Sequence, residues 1–262
     1  MTAAAVPAPA PVRAPAPTGL LVPRPLPAGD GPLPGRPVAP PPGAPPQLWL
    51  LRASEQPLRP DSATPLRGEE AARRARFVHP RDRHRYTAGR LGLRRLLGAY
   101  LGQEPDEVVF VRQPCTVCGG PSGRPAPAVP GLHFSLSRSA DLVLYAVGRT
   151  PVGVDVEASS PTDVDDAVRD LLHPQERAEL DALAPAERRE AFLRCWTRKE
   201  AYLKGIGAGL AHGIDRNYLG TGAFPPSRPP ATGWTVLDVD AGEGGHAAVA
   251  FSATLYHIAD GQ

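Results

Sequence analysis

Three acids and two lysines in the second half of the chain are the residue types that hold a divalent cation and a phosphate chain. In Val152-Gly153-Val154-Asp155-Val156-Glu157 the strand period puts the valines on one face and the Asp155 and Glu157 carboxylates together on the other. Adjacent like charges repel, so such a pair is comfortable when a cation bridges it or water solvates it. Taken alone, the alternation is also what any half-buried strand shows. The helical run Trp196-Thr197-Arg198-Lys199-Glu200-Ala201-Tyr202-Leu203-Lys204 tips the balance. At about 100° per residue, Phe192, Cys195, Trp196 and Leu203 form an apolar stripe with Lys199 in its middle and Glu200 at its edge. An i,i+4 salt bridge accounts for Glu200 with Lys204, at a few tenths of a kcal/mol. It does not account for Lys199, because a core-facing ammonium requires an anionic partner. Hard carboxylate oxygens suit magnesium and a compact ammonium suits phosphate oxygens, so the five residues read as a site for a divalent cation plus phosphate. The chain uses arginine 27 times and lysine only at these two positions, which sets both lysines apart.

The elements that must position these groups follow from periodicity and breakers. Residues 69–101 read as helical with a break at His79-Pro80, and a strand over 107–112 follows. Residues 115–130 are rich in Gly and Pro and read as loop. Segments 132–137 and 142–147 form a hairpin, followed by the strand 152–157. Helical pieces over 165–172 and 175–183 break at His173-Pro174, and a longer helix begins near Pro185 and stops at Gly205 and Gly207. A hairpin over 234–239 and 247–253 closes the series. Strands mixed with helices in each half, without regular βαβ alternation, predict an α+β protein of two lobes.

Composition bounds the rest. Residues 1–46 hold sixteen of the 34 prolines, with Ala, Gly, Val and Leu making up nearly all the remainder, and predict a disordered Pro/Ala-rich tail. The expected lobes are 47–150 and 151–262. Nothing reads as a secretory leader or a membrane span, and three cysteines, an odd number, predict reduced thiols, so the expected compartment is cytoplasmic. Cys115 and Cys118 are half of a zinc-ligand spacing without the second half, and otherwise a loop with two thiols. A net charge of +2 does not announce a nucleic-acid binder, although nine arginines fall between Arg73 and Arg95. They read either as a solvated helix face or as an anion site. His79, His173, His212, His246 and His257 read as capping, surface or hydrogen-bonded residues without a chemical role.

The Gly153-Val154-Asp155-Val156-Glu157 run and the later Trp196-to-Lys204 motif resemble the two signature motifs of the phosphopantetheinyl transferases. Arg76-Phe77, His84-Arg85, Gly123-Arg124-Pro125 and His133-Phe134-Ser135-Leu136-Ser137-Arg138-Ser139 extend the likeness in the same order over most of the chain beyond the tail. The likeness is to the monomeric surfactin type, and it implies two pseudo-equivalent lobes, each a small mixed sheet with packed helices, and coenzyme A bound between them. It makes Asp155, Glu157 and Glu200 the ligands of magnesium, with manganese an open alternative, and puts Lys199 and Lys204 near the pyrophosphate. Arg85, Ser137 and Arg138 would hold the 3'-phosphate and adenine end, Gly123 and Arg124 would lie along the nucleotide, and Arg73 would add to the phosphate site. Arg138 stands where the family commonly has histidine. The implied reaction moves phosphopantetheine from coenzyme A, the co-substrate, to a serine of an acyl or peptidyl apo-carrier protein and releases adenosine 3',5'-bisphosphate. Lys204 would offset charge on the leaving group, and Glu200 or Glu157 would act as general base. No nucleic acid or membrane partner is expected.

Three other readings compete. A nucleic-acid module would use the arginine stretch but lacks interleaved aromatics and leaves Lys199 unexplained. A magnesium-dependent nucleotide phosphohydrolase would release phosphate from coenzyme A without a protein acceptor. A non-catalytic scaffold of a synthase would be expected to have lost metal ligands, and none is missing.

Overall fold

The computed structural model describes residues 20–58, 66–120, 123–159, 169–209, 213–226 and 233–253. The first sheet has the order β1-β2-β6-β5, built from β1 (Arg24–Pro25), β2 (Gln47–Arg52), β5 (His133–Ser139) and β6 (Leu142–Gly148). β1 runs parallel to β2, and the other pairs are antiparallel. The second sheet has the order β7-β9-β8, all antiparallel, from β7 (Val152–Ala158), β8 (Trp234–Val239) and β9 (Gly245–Ser252). Helices α1 (Glu69–Ala75) and α2 (Pro80–Leu101) belong to the first half, and α3 (Pro174–Asp181) and α4 (Pro185–Ile206) to the second. The α+β class is as the sequence predicts, including the helix break ahead of Pro80 and the stop of α4 at Gly207, whose φ of 73° suits glycine.

Strand parity sorts the core into layers. Val143, Tyr145 and Val147 of β6 pack with Leu93, Leu96 and Leu97 of α2. Their neighbours Leu142, Leu144 and Ala146 share one apolar cluster with Val152, Val154 and Val156 of β7 and with Val249 and Phe251 of β9. On the far side of the second sheet, Ala248 and Ala250 pack with Ala201 and Tyr202 of α4. The order is therefore α2, sheet, sheet, α4, with the valine face of β7 sealed between the sheets and its Asp155 and Glu157 face turned toward α4.

Two expectations need correction. Within 115–130, which read as loop throughout, β4 (Pro125–Pro127) pairs antiparallel with β3 (Phe110–Arg112), the part of the expected 107–112 strand that forms. Proline at a strand of three residues is compatible with an edge position, where no amide is owed to a further neighbour. The predicted tail over 1–46 is the second, because its part from residue 20 onward is docked. Leu21 bridges to Val239 of the second sheet, Leu26 is buried and donates its amide to Leu50 O at 2.8 Å, and Arg95 donates to Gly31 O and Pro27 O at 2.6 and 2.8 Å. Proline removes amide donors but leaves carbonyl acceptors, so such a segment can lie extended across both sheets as a strap held by other residues' side chains. Residues 1–19 of that expectation, and 165–168 of a predicted helix, lie outside the described residues.

Candidate active site at the junction of β5, β7 and α4

Two glycines bring the helix onto the strand. A Cβ on Gly153 would stand 2.0 Å from Ala201 O and 2.3 Å from Gly205 N, and one on Gly205 would stand 2.6 Å from the Trp234 ring. Only bare backbone permits α4 to cross β7 at that distance, and the crossing sets Glu200 and Lys204 over the acidic face of the strand. β5 abuts the other side. Its Ser135, Ser137 and Ser139 share one face by strand parity, and their hydroxyls take the place of a backbone ladder. Val154 N donates to Ser135 Oγ and Ala158 N to Ser139 Oγ, each at 3.0 Å. Ser137 and Ser139 in turn donate to Asp155 Oδ1 and Glu157 Oε2, each at 2.7 Å.

The Lys204 ammonium lies 2.5 Å from Asp155 Oδ1 and 3.1 Å from Ser137 Oγ, so its ion pair is with the strand carboxylate across the junction and not with Glu200 one turn back. Burial pushes the Asp155 carboxyl up, against the Lys204 charge that lowers it. Glu157 is raised by burial and by the charge of Asp155. Glu200 is raised chiefly by burial, with Asp155 and Glu157 adding to the rise and Lys204 opposing it. Three carboxyls thus share one desolvated corner with a single ammonium among them. Among the described residues no three His, Cys, Asp or Glu side chains converge closely enough to hold a metal ion, and Lys204 sits against Asp155. Asp155 Oδ2 is nevertheless buried without a hydrogen-bond donor. An orphan carboxylate oxygen, beside two more carboxyls whose anionic forms are disfavoured, is a donor set that fits a hard divalent cation.

A cavity of about 380 Å³ opens beside this corner, with Arg90, Gly123, Arg124, Ser135 and Lys204 among its walls. A Cβ on Gly123 would meet Gln113 O at 2.2 Å, which explains glycine there, and Arg124 donates to Gln113 Oε1 at 2.6 Å and to Gly205 O. Arg138 projects from the opposite face of β5 and stacks over Tyr86, 5.1 Å from the ring centroid. Burial, and then the nearby charges of Arg73 and Arg90, lower its pKa. The charges of Arg73 and Arg90 also act on Tyr86, while Arg90 itself stacks over Phe110, 5.3 Å from that centroid. Arg85 opens on another cavity with Ser54, His84 and Asp141 and pairs with Asp82 at 3.7 Å. Ser137 was expected at the nucleotide's phosphate end and is found bound to Asp155 and Lys204. The arginine stretch is divided, because Arg90 and Arg94 both donate to Glu70 while Arg95 grips the strap.

Lys199 requires a correction. Its ammonium lies 2.7 Å from Glu176 Oε2 and donates to Ile214 O and Asn217 O at 2.8 and 2.7 Å, with the side chains of Lys199 and Glu176 only 2% and 0% exposed. All three ammonium donors are committed, which leaves none for a pyrophosphate. The anionic partner demanded by a core-facing lysine is thus Glu176, which also accepts from Leu219 N at 2.7 Å and Gly220 N at 3.2 Å. Arg198 joins the same loop, donating to Gly220 O and Gly222 O and forming a fork with Asp238. The helix motif has two faces: Arg198 and Lys199 hold the 213–226 loop, and Glu200 and Lys204 face β7. Glu176 was missed although a signal existed, since His173-Pro174-Gln175-Glu176 reads as a capping box, and Glu176 Oε2 does accept from His173 N at 3.1 Å. Arg90, Ser135 and Ser139 were also missed; for the two serines, the period-two spacing with Ser137 was the available signal.

The model of the 4'-phosphopantetheinyl transferase superfamily matches residues 151–247, the segment that contains both strand carboxylates and the whole of α4. The chain is 38% identical over 181 residues to the 4'-phosphopantetheinyl transferase HetI of Nostoc sp., covering 68% of this chain and 75% of that one. It is 32% identical over 141 residues to a 4'-phosphopantetheinyl transferase of Bacillus subtilis, covering 53% and 59% of the two chains. A phosphopantetheinyl transferase of Thraustochytrium sp. is 33% identical over 190 residues, with 65% and 64% covered. The chain belongs to the 4'-phosphopantetheinyl transferase superfamily and is an enzyme of that family.

Proposed function

We propose that the enzyme transfers the 4'-phosphopantetheine arm of coenzyme A to a serine of an acyl or peptidyl apo-carrier protein, releasing adenosine 3',5'-bisphosphate. The observation that carries this reading is the orphan Oδ2 of buried Asp155, in a corner shared with the half-buried Glu157 and Glu200 carboxyls and one ammonium, beside a cavity whose walls include Arg90, Arg124 and Lys204. Asp155, Glu157 and Glu200 are the residues that would hold magnesium, or manganese, and the ion would neutralise phosphate charge and polarise the bond to be broken. The cavity lies near the lower end of the roughly 300–1,000 Å³ typical of ligand pockets, so it suits part of coenzyme A with the remainder along the surface. Lys204, with Arg90 and Arg124 on the same walls, supplies the electrostatic stabilisation for the departing bisphosphate. The Arg73, Arg90 and Arg138 cluster is assigned to the 3'-phosphate.

Glu200 is the general base in this reading. Ser137 and Ser139 already donate to Asp155 and Glu157, whereas among the described residues no hydroxyl or ammonium is bonded to Glu200. Its raised pKa brings it closer to the range where a carboxylate takes a proton effectively. The enzyme acts in the cytoplasm as a monomer in this proposal, and among the described residues no helix is long and apolar enough to cross a membrane. The test mixes the protein with coenzyme A, magnesium and a panel of apo-carrier proteins and reads carrier mass. A phosphopantetheine increment is expected, and its absence from every carrier, or phosphate release without any acceptor, overturns the proposal.

A further inference from the structure

We propose that Cys115 and Cys118 form a dithiol modification site that low-molecular-weight disulfides oxidise to an intramolecular disulfide at the wall of the cavity. The pair is closed into one turn, with Cys115 N donating to Gly120 O at 2.7 Å and Gly119 N donating back to Cys115 O at 2.8 Å. Gly119 takes the positive φ of 70° that lets the chain reverse there. Both residues line the 380 Å³ cavity that also contains Lys204. Cys118 is exposed and Cys115 is buried. The Cys115 thiol is held below its usual pKa by the Cys118 amide, the Val117 amide and the Cys118 side chain, which favours its thiolate. A C-x-x-C turn with one accessible and one activated thiol is the arrangement needed for two-step exchange.

The chemistry balances without a further reactant. The Cys118 thiolate attacks a disulfide RSSR, forming a mixed disulfide and expelling RS⁻. The Cys115 thiolate then attacks the Cys118 sulfur, closing the protein disulfide and expelling the second RS⁻. The dithiol loses two electrons and RSSR gains them, and the protons of the two cysteines end on two molecules of RSH.

The turn is tied to the helix that carries Lys204. Thr116 Oγ1 donates to Ile206 O at 2.8 Å, and Arg124, just ahead of β4, donates to Gly205 O. Closing the dithiol therefore alters a wall that is anchored to the last turn of α4. The inference stands apart from the coenzyme A reading, because it concerns only the protein's own sulfurs. Cys195 supplies an internal control, since it is buried and burial pushes its thiol pKa up.

The experiment treats the reduced full-length protein with glutathione disulfide and follows intact mass and peptide maps for wild type, Cys115→Ser and Cys118→Ser. Wild type is expected to lose two hydrogens with a link between the Cys115 and Cys118 peptides. Cys115→Ser should stop at the glutathione adduct on Cys118, and Cys118→Ser should stay unmodified. A stable adduct on wild-type Cys118, equal reactivity of wild type and Cys118→Ser, or closure that appears only after a chelator strips a bound zinc ion would each overturn the assignment.

Discussion

Replacing Lys199 by methionine separates a structural lysine from a substrate-binding one. The change keeps an unbranched side chain but removes the ammonium 2.7 Å from Glu176 Oε2, where the glutamate side chain is 0% exposed. Glu176 retains the amides of Leu219, Gly220 and His173, so it loses its countercharge while keeping its other donors, and Ile214 O and Asn217 O lose theirs. Breaking a buried pair from one side costs about 3–5 kcal/mol, because a charge is left uncompensated in a low dielectric. For a chain of this size each kcal/mol moves Tm by about 2–4 °C, so the expected fall is roughly 6–20 °C. Glu176→Gln should lower Tm in the same range, and the double variant Glu176→Gln with Lys199→Met should recover much of the loss, since neither charge then remains. The assay is thermal unfolding of the three variants, with steady-state kinetics below the lowest Tm. The KM for coenzyme A of folded Lys199→Met should stay within a few-fold of wild type. An unchanged Tm together with a KM raised about tenfold or more, some 1.4 kcal/mol of lost binding, would refute the argument and return Lys199 to the pyrophosphate.

Three further outcomes are expected. Deleting 1–46 should lower Tm by several degrees, because Arg95, only 4% exposed, loses two carbonyl acceptors at a cost of about 1–3 kcal/mol and Leu26 leaves the core; deleting 1–19 removes none of the described contacts and should leave Tm near wild type by calorimetry. Glu200→Gln should cut turnover by about 10²–10⁴ without lowering Tm at pH 7. The raised Glu200 pKa means that burial favours its protonated form in the metal-free protein, so its contribution to stability is present below about pH 4 and lost as pH rises through the folded pKa. Melting curves of metal-free wild type and Glu200→Gln from pH 4 to 8 check that sign. Arg138→Ala should raise the KM for coenzyme A by roughly ten- to a hundredfold and leave that for dephospho-coenzyme A nearly unchanged, through loss of one charge-assisted contact of about 1.5–3 kcal/mol; equal effects on the two substrates would remove Arg138 from the 3'-phosphate.

The chain sequence by itself determined whatever depends on near neighbours. Strand parity set the three valines of β7 against Asp155 and Glu157, helical spacing set Lys199 on an apolar stripe, and Gly207 ended α4, because these depend on angles between successive residues. The need of Lys199 for an anion was also legible, as were the α+β class and both breaks before proline. Which anion answers it was not, since Glu176 lies 23 positions away on another helix and its competition with a phosphate is decided by distance alone. Tertiary structure likewise decided that Ser137 serves Asp155 and that Lys204 pairs across the junction, because Gly153 and Gly205 permit a crossing whose closeness no local period records. The strap over residues 20–46 belongs to the same class. Its proline content excluded a helix, but its order comes from Leu50, Arg95 and Asp238, partners beyond the segment itself whose donors and acceptors meet it only once both sheets are assembled.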